Sequence, residues 1–489
     1  MTVLVIDVGS SSVRALLFDD QARPVPGAVA SRSHSFTTVP PGAATADAIA
    51  LRDAAEACMD EVLQHPGARE IRAVGMDTFV GNVLGVDHRG VPVTPMFTYA
   101  DTRSADDVAA LKTRIDGEES HQRTGCILHT AYQPGRLLWL RRTEPFTFAG
   151  VNRWIDIGTY LYTGWFGESA ASYSVASWSG MFNRDKLDWD EAWLYVLEMG
   201  KNHFPELADY NNAKRGLRDE YAKRWPALRD VPFCLAVGDG AAANVGSGCV
   251  DESHIALTVG TTAALRVVST TTLPPVPPGL WSYRADAAHH LIGGATTEGG
   301  NIFQWARDTL KLDEDVEAQL ASREPDAHGL TFLPLLAGER SPGWATHATG
   351  AITGLRLSTT PLDILQAALE GVALRLSLIA DQLGSIVQPD ATIIAGGGAL
   401  VGSPAWAQMI AHALNRPIHI TEEPEITARG VAILTLVACG RGQLADYPPA
   451  IDRVITPNPE HAAILREARE RQVRLYHQVV MQDEKNRAL

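Results

Sequence analysis

The chain has little cysteine, no excess of basic charge and no long apolar run, and each shortage removes a class of protein. Its five cysteines, Cys58, Cys126, Cys234, Cys249 and Cys439, are odd in number, widely spaced and never paired as C-x-x-C. That pattern predicts a reducing compartment and offers no zinc framework. Asp and Glu outnumber Lys and Arg 57 to 42, for a formal charge of −15, so the basic stripe that nucleic-acid binding requires is missing. No apolar stretch approaches the length of a membrane span, and the apolar N-terminal stretch carries Asp7 without a basic leader. A cytoplasmic protein with a small-molecule substrate is expected, with no nucleic acid, no membrane, and a homodimer allowed. Two motifs are absent as well: G-x-x-x-x-G-K-[ST], which excludes a P-loop kinase, and H-E-x-x-H, the helix of a zinc protease.

What is present describes an ordinary globular protein, 45% hydrophobic and 20% charged over 489 residues. That length exceeds one hydrophobic core, so at least two domains are expected. An anionic ligand must be held locally, by backbone N–H groups, isolated arginines or a metal, because the overall field repels it.

Val3–Asp7 is apolar and β-branched, Gly9-Ser10-Ser11-Ser12 breaks it, and Val13–Phe18 resumes a strand pattern. Ile255–Val259, Gly260-Thr261-Thr262 and Ala264–Val268 repeat the design. Matching Gly9 to Gly260 pairs Ser10 with Thr261 and Arg14 with Leu265. Each copy opens one half of the chain, so two related α/β domains are predicted, 1–248 and 249–489, joined near 246–254. Further strands are expected at Ile71–Met76 and Ala391–Ala395, and helices at Leu51–Leu63, Tyr132–Arg142, Leu362–Leu383 and Pro404–Leu414. Proline-rich Leu273–Gly279 reads as a loop, and the tail Glu460–Leu489 as a charged helix.

A glycine lets the backbone approach a phosphate, and neighbouring hydroxyls add neutral donors, so each turn is a candidate anion cradle. Taken alone, either turn is equally a tight hairpin connection. Their repetition, with Asp7 two residues before the first, favours a clamp on a polyphosphate, with a divalent cation between carboxylate and phosphate. Val237-Gly238-Asp239-Gly240 sets one acid between glycines at the start of a small-residue helix. Such flanks leave it open to a cleft, and the helix N-terminus would keep it ionised. An alcohol kinase needs such a carboxylate to take the hydroxyl proton; the competing role is a helix N-cap. The same stretch matches G-x-G-x-x-A, a dinucleotide fingerprint, but Asp251 and Glu252 follow too closely for ribose recognition. Gly396-Gly397-Gly398 permits close approach to a flat ligand, or is only a turn. Tyr99, Asp101 and Arg103 form either a polyol site or a surface ion pair.

These segments resemble the FGGY carbohydrate kinase family from Val3 to about Gly440. The carrying motifs are DVGSSSVRALLFD, YADTRS, VGDGAAANVGSG, TVGTTAALRVV, GERSPGW and AGGGAL. The resemblance implies two duplicated actin-like ATPase domains, of ribonuclease H-like α/β fold, around a central cleft, and the use of ATP and Mg²⁺. It implies phosphate binding by Asp7, Gly9, Ser10, Ser11, Ser12, Gly260, Thr261 and Thr262, and adenosine contacts from Gly300, Gln304, Gly397 and Gly398. Asp239 falls on the catalytic base, with Asp7 and Asp239 holding Mg²⁺ through water. Phe79, Val80, Gly81, Tyr99, Asp101 and Tyr132 join Asp239 on the substrate side. RTGCILH, RLLWLR, SYSVASWSGMFN, GLWSYR and GGATTEGGNIFQW look most like gluconate kinases. Two positions depart from the pattern: Gly81 replaces a substrate-contacting histidine, which should enlarge the pocket, and Glu298 stands where gluconate kinases usually carry asparagine. The expected reaction is transfer of the ATP γ-phosphoryl group to gluconate or a related sugar. A neutral ketose or polyol is the alternative substrate, and an actin-like ATPase without a sugar or a dinucleotide-dependent dehydrogenase the rival function.

Overall fold

A computed structural model describes residues 1–345, 347–423 and 425–481. The expected tail helix is present as far as that range allows; its portion at 482–489 lies outside the described residues.

In the first half, β1 (Thr2–Val8), β2 (Ser12–Phe18), β3 (Pro24–Ser33), β4 (Ile71–Thr78) and β5 (Val237–Gly238) form one sheet in the order β5-β4-β1-β2-β3. Helices α1 (Ala48–Val62), α2 (Gln133–Thr143) and α3 (Asp239–Gly246) belong to this half. The main sheet of the second half has seven strands: β6 (His254–Val259), β7 (Ala263–Ser269), β8 (Trp281–Arg284), β9 (His290–Thr296), β10 (Thr392–Gly396), β11 (Ile418–Thr421) and β12 (Ile451–Ile455). Their order is β8-β9-β7-β6-β10-β11-β12. Its helices include α4 (Gly300–Thr309), α5 (Pro361–Leu383), α6 (Pro404–Leu414), α7 (Ile426–Ala438) and α8 (Pro459–Tyr476). No helix among the described residues is long and apolar enough to cross a membrane.

The repeat read from the two hairpins extends to the sheets. β11-β10-β6-β7-β9 reproduces β5-β4-β1-β2-β3 strand for strand, with the inner pairs β1/β4 and β6/β10 both parallel and both hairpins antiparallel. The fixed offset, however, fails beyond the turn. Asp7 faces Arg14, whereas Thr258 faces Ala264, so the second turn is one residue shorter and Leu265 is not the counterpart of Arg14. A one-residue slip moves a side chain to the opposite face. Leu265 accordingly points into the core, and Arg266 instead donates to Thr258 Oγ1 at 2.7 Å.

The cores follow the periodicities. α5 opens on a capping box, Thr360 with Asp363, and buries Leu365, Leu369, Val372 and Leu376 along one stripe against the second sheet. Helix α7 is the exception to a simple division into halves. It follows β11 in sequence yet lies on α3 and on β1 and β4 of the first sheet. Glycines permit that crossing: a Cβ on Gly430 would sit 1.8 Å from the Ala242 carbonyl oxygen, one on Gly246 1.8 Å from that of Ile426, and one on Gly75 2.1 Å from Thr435 Oγ1. Gly430, inside α7, forfeits about 1 kcal/mol of helix propensity, and the close backbone approach offsets it. α7 thereby ties the second half to the helix that begins with Asp239.

Candidate active site

Parallel pairing of β4 with both β1 and β5 brings the C-terminal ends of three strands together at one end of the first sheet. The register sets Asp7 beside Asp77 and Val237 beside Asp77, so Asp239, which opens α3 directly after β5, falls next to both. Asp7 is held by Arg14, whose Nε donates to Oδ2 at 3.0 Å; the same guanidinium reaches Glu425, just before α7. Asp77 is fully buried, and its carboxyl oxygens accept no N–H among the described residues and face only the carboxyl of Asp7. Burial pushes its pKa well above the usual carboxylate range, and the charges of Asp7 and Asp239 push it further. The sequence reading ended this strand at Met76 and missed Asp77. The signal was an acid following the apolar run Ala73–Met76, which becomes meaningful only once the register places it beside Asp7.

Asp239 is the first residue of α3, while Gly238 occupies the N-cap, so the capping role does not apply. Its carboxylate accepts the Gly240 N–H at 2.7 Å and faces Arg266 from the second half. Burial nonetheless prevails over both and raises its pKa to about 6. The expectation that the helix terminus governs its ionisation is corrected accordingly: desolvation is the larger effect. The flanking glycines also have another cause than exposure of the acid. The Trp178 indole packs on them, with Nε1 2.9 Å from where a Gly238 Cβ would lie and Cζ2 3.2 Å from that of Gly240. Trp178 in turn stacks on Tyr283 of β8, ring centroids 3.6 Å apart. Nothing in the sequence singled out Trp178.

In both turns the glycine N–H is spent closing the turn: Gly9 donates to the Ser12 carbonyl at 2.9 Å and Gly260 to that of Thr262 at 3.0 Å. The N–H groups of Ser10, Ser11, Thr261 and Thr262 donate to no backbone carbonyl among the described residues. All four residues are exposed, so the open donors sit one and two positions past each glycine. Ser12 belongs to β2 and pairs with Ser33.

The start of α4 and the glycine triplet close around the second turn. Gly300 donates to the Gly260 carbonyl at 2.6 Å, and a Cβ on Gly300 would meet the same oxygen at 2.9 Å. Gly397 adopts φ +111°, and its Cβ would lie 2.4 Å from the Val259 carbonyl oxygen, a backbone that only glycine adopts without strain. Gly398 opens the next short helix with free space beside it. Gln304 stands one turn further along α4, exposed, its amide bound to Asp308 at 2.9 Å.

On the other side, Phe79 and Val80 are buried, and Val80 Cγ1 lies 2.8 Å from the Cβ position of Gly238. Gly81 does not enlarge a pocket as expected. It takes φ +69°, and the space a side chain would need is occupied by Tyr99 Cβ at 3.0 Å and the Ala131 carbonyl at 3.2 Å. Tyr99 itself remains 37% exposed. Asp101 and Arg103 are not a surface pair. Asp101 is 1% exposed and accepts from Ala44 N–H at 3.1 Å and from the Arg103 guanidinium at 2.6 Å, while that guanidinium lies 4.4 Å above Trp139. Tyr132 is buried and its hydroxyl meets Tyr283 Oη at 2.7 Å, across the two halves. Glu298 is 1% exposed, accepts the Ala337 N–H at 2.8 Å, and is pushed by burial to about 7.

Comparison with known proteins matches two consecutive models: the N-terminal domain of the FGGY family of carbohydrate kinases over residues 2–246 and its C-terminal domain over 255–439. A gluconokinase of Bacillus subtilis (strain 168) is 27% identical, over 96% of this chain and 93% of its own. A xylulose kinase of Escherichia coli (strain K12) is 25% identical, over 97% and 98%. Among solved structures, a gluconate kinase from Lactobacillus acidophilus superposes with TM-score 0.91 at 26% identity, covering 98% of each chain.

Proposed function

The chain belongs to the FGGY family of carbohydrate kinases, and we propose that it transfers the γ-phosphoryl group of ATP to a hydroxyl of gluconate or a closely related sugar acid. The observation that carries this reading is the convergence of Asp7, Asp77 and Asp239 at one end of the first sheet, in a two-domain fold whose second half supplies an open turn of its own. Asp239 accepts the proton of the attacking hydroxyl. The N–H and hydroxyl groups of Ser10, Ser11, Thr261 and Thr262 hold phosphate oxygens from opposite sides, with Gly300, Gly397 and Gly398 admitting the nucleoside and Gln304 at the rim. The residues fit a divalent cation: a buried carboxyl without an N–H partner between two other carboxyls is a set of hard oxygen donors. Asp7 and Asp239 would hold Mg²⁺ through water, where it would neutralise charge on the phosphates. We place the domain division at 248/249, and the five free cysteines support a reducing, cytoplasmic setting.

The gluconate reading draws on the gluconokinase relatives. Glu298, where gluconate kinases usually carry asparagine, counts against it, a cost lessened by the burial that raises its pKa to about 7. A neutral ketose is the second reading, favoured by the xylulose kinase likeness and by the loss of a histidine donor at Gly81. Purified enzyme screened by coupled ADP release against gluconate, xylulose, ribulose, glycerol and erythritol should give its highest kcat/KM with gluconate. Turnover only with a neutral sugar would remove gluconate and leave the kinase reading intact.

The base must be ionised to act, so a pKa near 6 for Asp239 fixes the sign of the pH dependence. In a pH series, kcat/KM for the sugar should be flat above about pH 7. Below pH 6 it should fall about tenfold per unit, as protonation removes the active form. A profile flat down to pH 4.5 would mean that Asp239 is not the base.

A further inference from the structure

The catalytic carboxylates occupy the C-terminal ends of β1, β4 and β5. At the opposite end of the same strands, where β1 and β4 begin and Pro232 leads toward β5, lies a separate cavity of about 780 Å³. Its wall includes Met1, Glu70, Arg72, Arg215, Cys439 and Arg441. A volume of that size suits a small metabolite.

The charge of this wall runs against that of the molecule. The protein carries −15 overall, yet three arginines line the cavity against one wall carboxylate, Glu70. None of Arg72, Arg215 and Arg441 has a carboxylate partner among the described residues. Arg72 donates only to the carbonyls of Arg69 at 3.3 Å and Ile71 at 2.9 Å, and Arg215 to that of Asp230 at 2.7 Å.

The carbonyls ending α7 do not absorb these donors. The N–H groups of Cys439, Gly440 and Arg441 already cap Thr435, Leu436 and Val437. Arg215 and Arg441 share this wall with Cys439, whose thiol pKa is raised by burial, an effect that the two guanidinium charges partly oppose. Several guanidinium forks without acids, gathered at one cleft, match the oxygens of a phosphate group.

We propose that this cleft is a second ligand site, which binds a small phosphate-bearing anion away from the catalytic centre. Its occupant is positioned to influence catalysis. α7 ends at this wall, and Glu425, just before its first residue, holds Arg14, which holds Asp7.

The test fills the ATP site with a non-hydrolysable ATP analogue and Mg²⁺, then titrates the full-length enzyme with glucose 6-phosphate and with inorganic pyrophosphate by calorimetry. Wild type should bind at one site per chain. The stronger of the two probes identifies the source as a sugar phosphate or a diphosphate. The double variant R215S/R441S should bind at least about tenfold more weakly, since each lost charge-assisted hydrogen bond to phosphate exceeds a kcal/mol. Its ATP-analogue affinity and kcat should be unchanged. R72S should also weaken binding; all three side chains are exposed, so folding is not at risk. The proposal is overturned if wild type binds neither anion, or if the double variant binds as tightly as wild type. Because binding is read without turnover, this result is independent of the sugar kinase reading.

Discussion

Replacing Asp239 by Asn should lower kcat by about 10²–10⁴-fold while leaving MgATP affinity within a few-fold of wild type. Asparagine keeps the shape of the side chain and an oxygen for the Gly240 N–H, so the helix start is preserved; the proton acceptor is lost, while Asp7 remains to hold Mg²⁺ through water. The variant should also melt no lower than wild type. The native carboxylate is held in a site that disfavours its charge, as its elevated pKa shows, so neutralising it relieves a desolvation cost. Loss of turnover with nucleotide binding and stability retained is the signature of a base. Loss of all three would assign Asp239 a structural role, and retained turnover would remove it from the chemistry.

The second large effect is expected far from any substrate. Gly430→Ala puts a methyl group 1.8 Å from the Ala242 carbonyl oxygen and 2.9 Å from the Gly246 N. Both are backbone atoms of α3, so no side chain can turn away and the two helices must separate. In solvent-exposed helix the same substitution would stabilise by about 1 kcal/mol; here it should destabilise by about 3 kcal/mol or more, read by urea unfolding. Moving α3 also moves Asp239 at its first turn, so kcat should fall as well, by about tenfold or more. An unchanged unfolding midpoint would mean that α7 does not pack on α3 in this way.

Much of this was readable from residue order. The hairpins announced themselves because β-branched runs flank Gly-Ser and Gly-Thr turns, and their repetition foretold the matching strand orders of the two sheets. Asp239 was visible because a lone acid between glycines has few ordinary explanations, although the glycines proved to accommodate Trp178. What stayed hidden depends on register and on distance along the chain. Asp77 gains its neighbours only through two parallel pairings. Gly81 looked like a missing side chain, but its positive φ and the approach of Tyr99 fill the gap. For Asp101 and Arg103 a polyol site and a surface pair stood side by side, because charge alone does not reveal that Trp139 covers the guanidinium. α7 carries apolar residues almost all round, so periodicity could not say which half it would join.

The most direct test follows the phosphorus atom itself. Enzyme, MgATP and gluconate are mixed and observed by ³¹P NMR. The γ-phosphate resonance of ATP should disappear as a phosphomonoester resonance and ADP grow in equal amounts. In the absence of sugar ATP should persist. Conversion of ATP to ADP and inorganic phosphate at the same rate with or without any sugar would contradict phosphoryl transfer to an alcohol and return the fold to the class of sugar-independent ATPases.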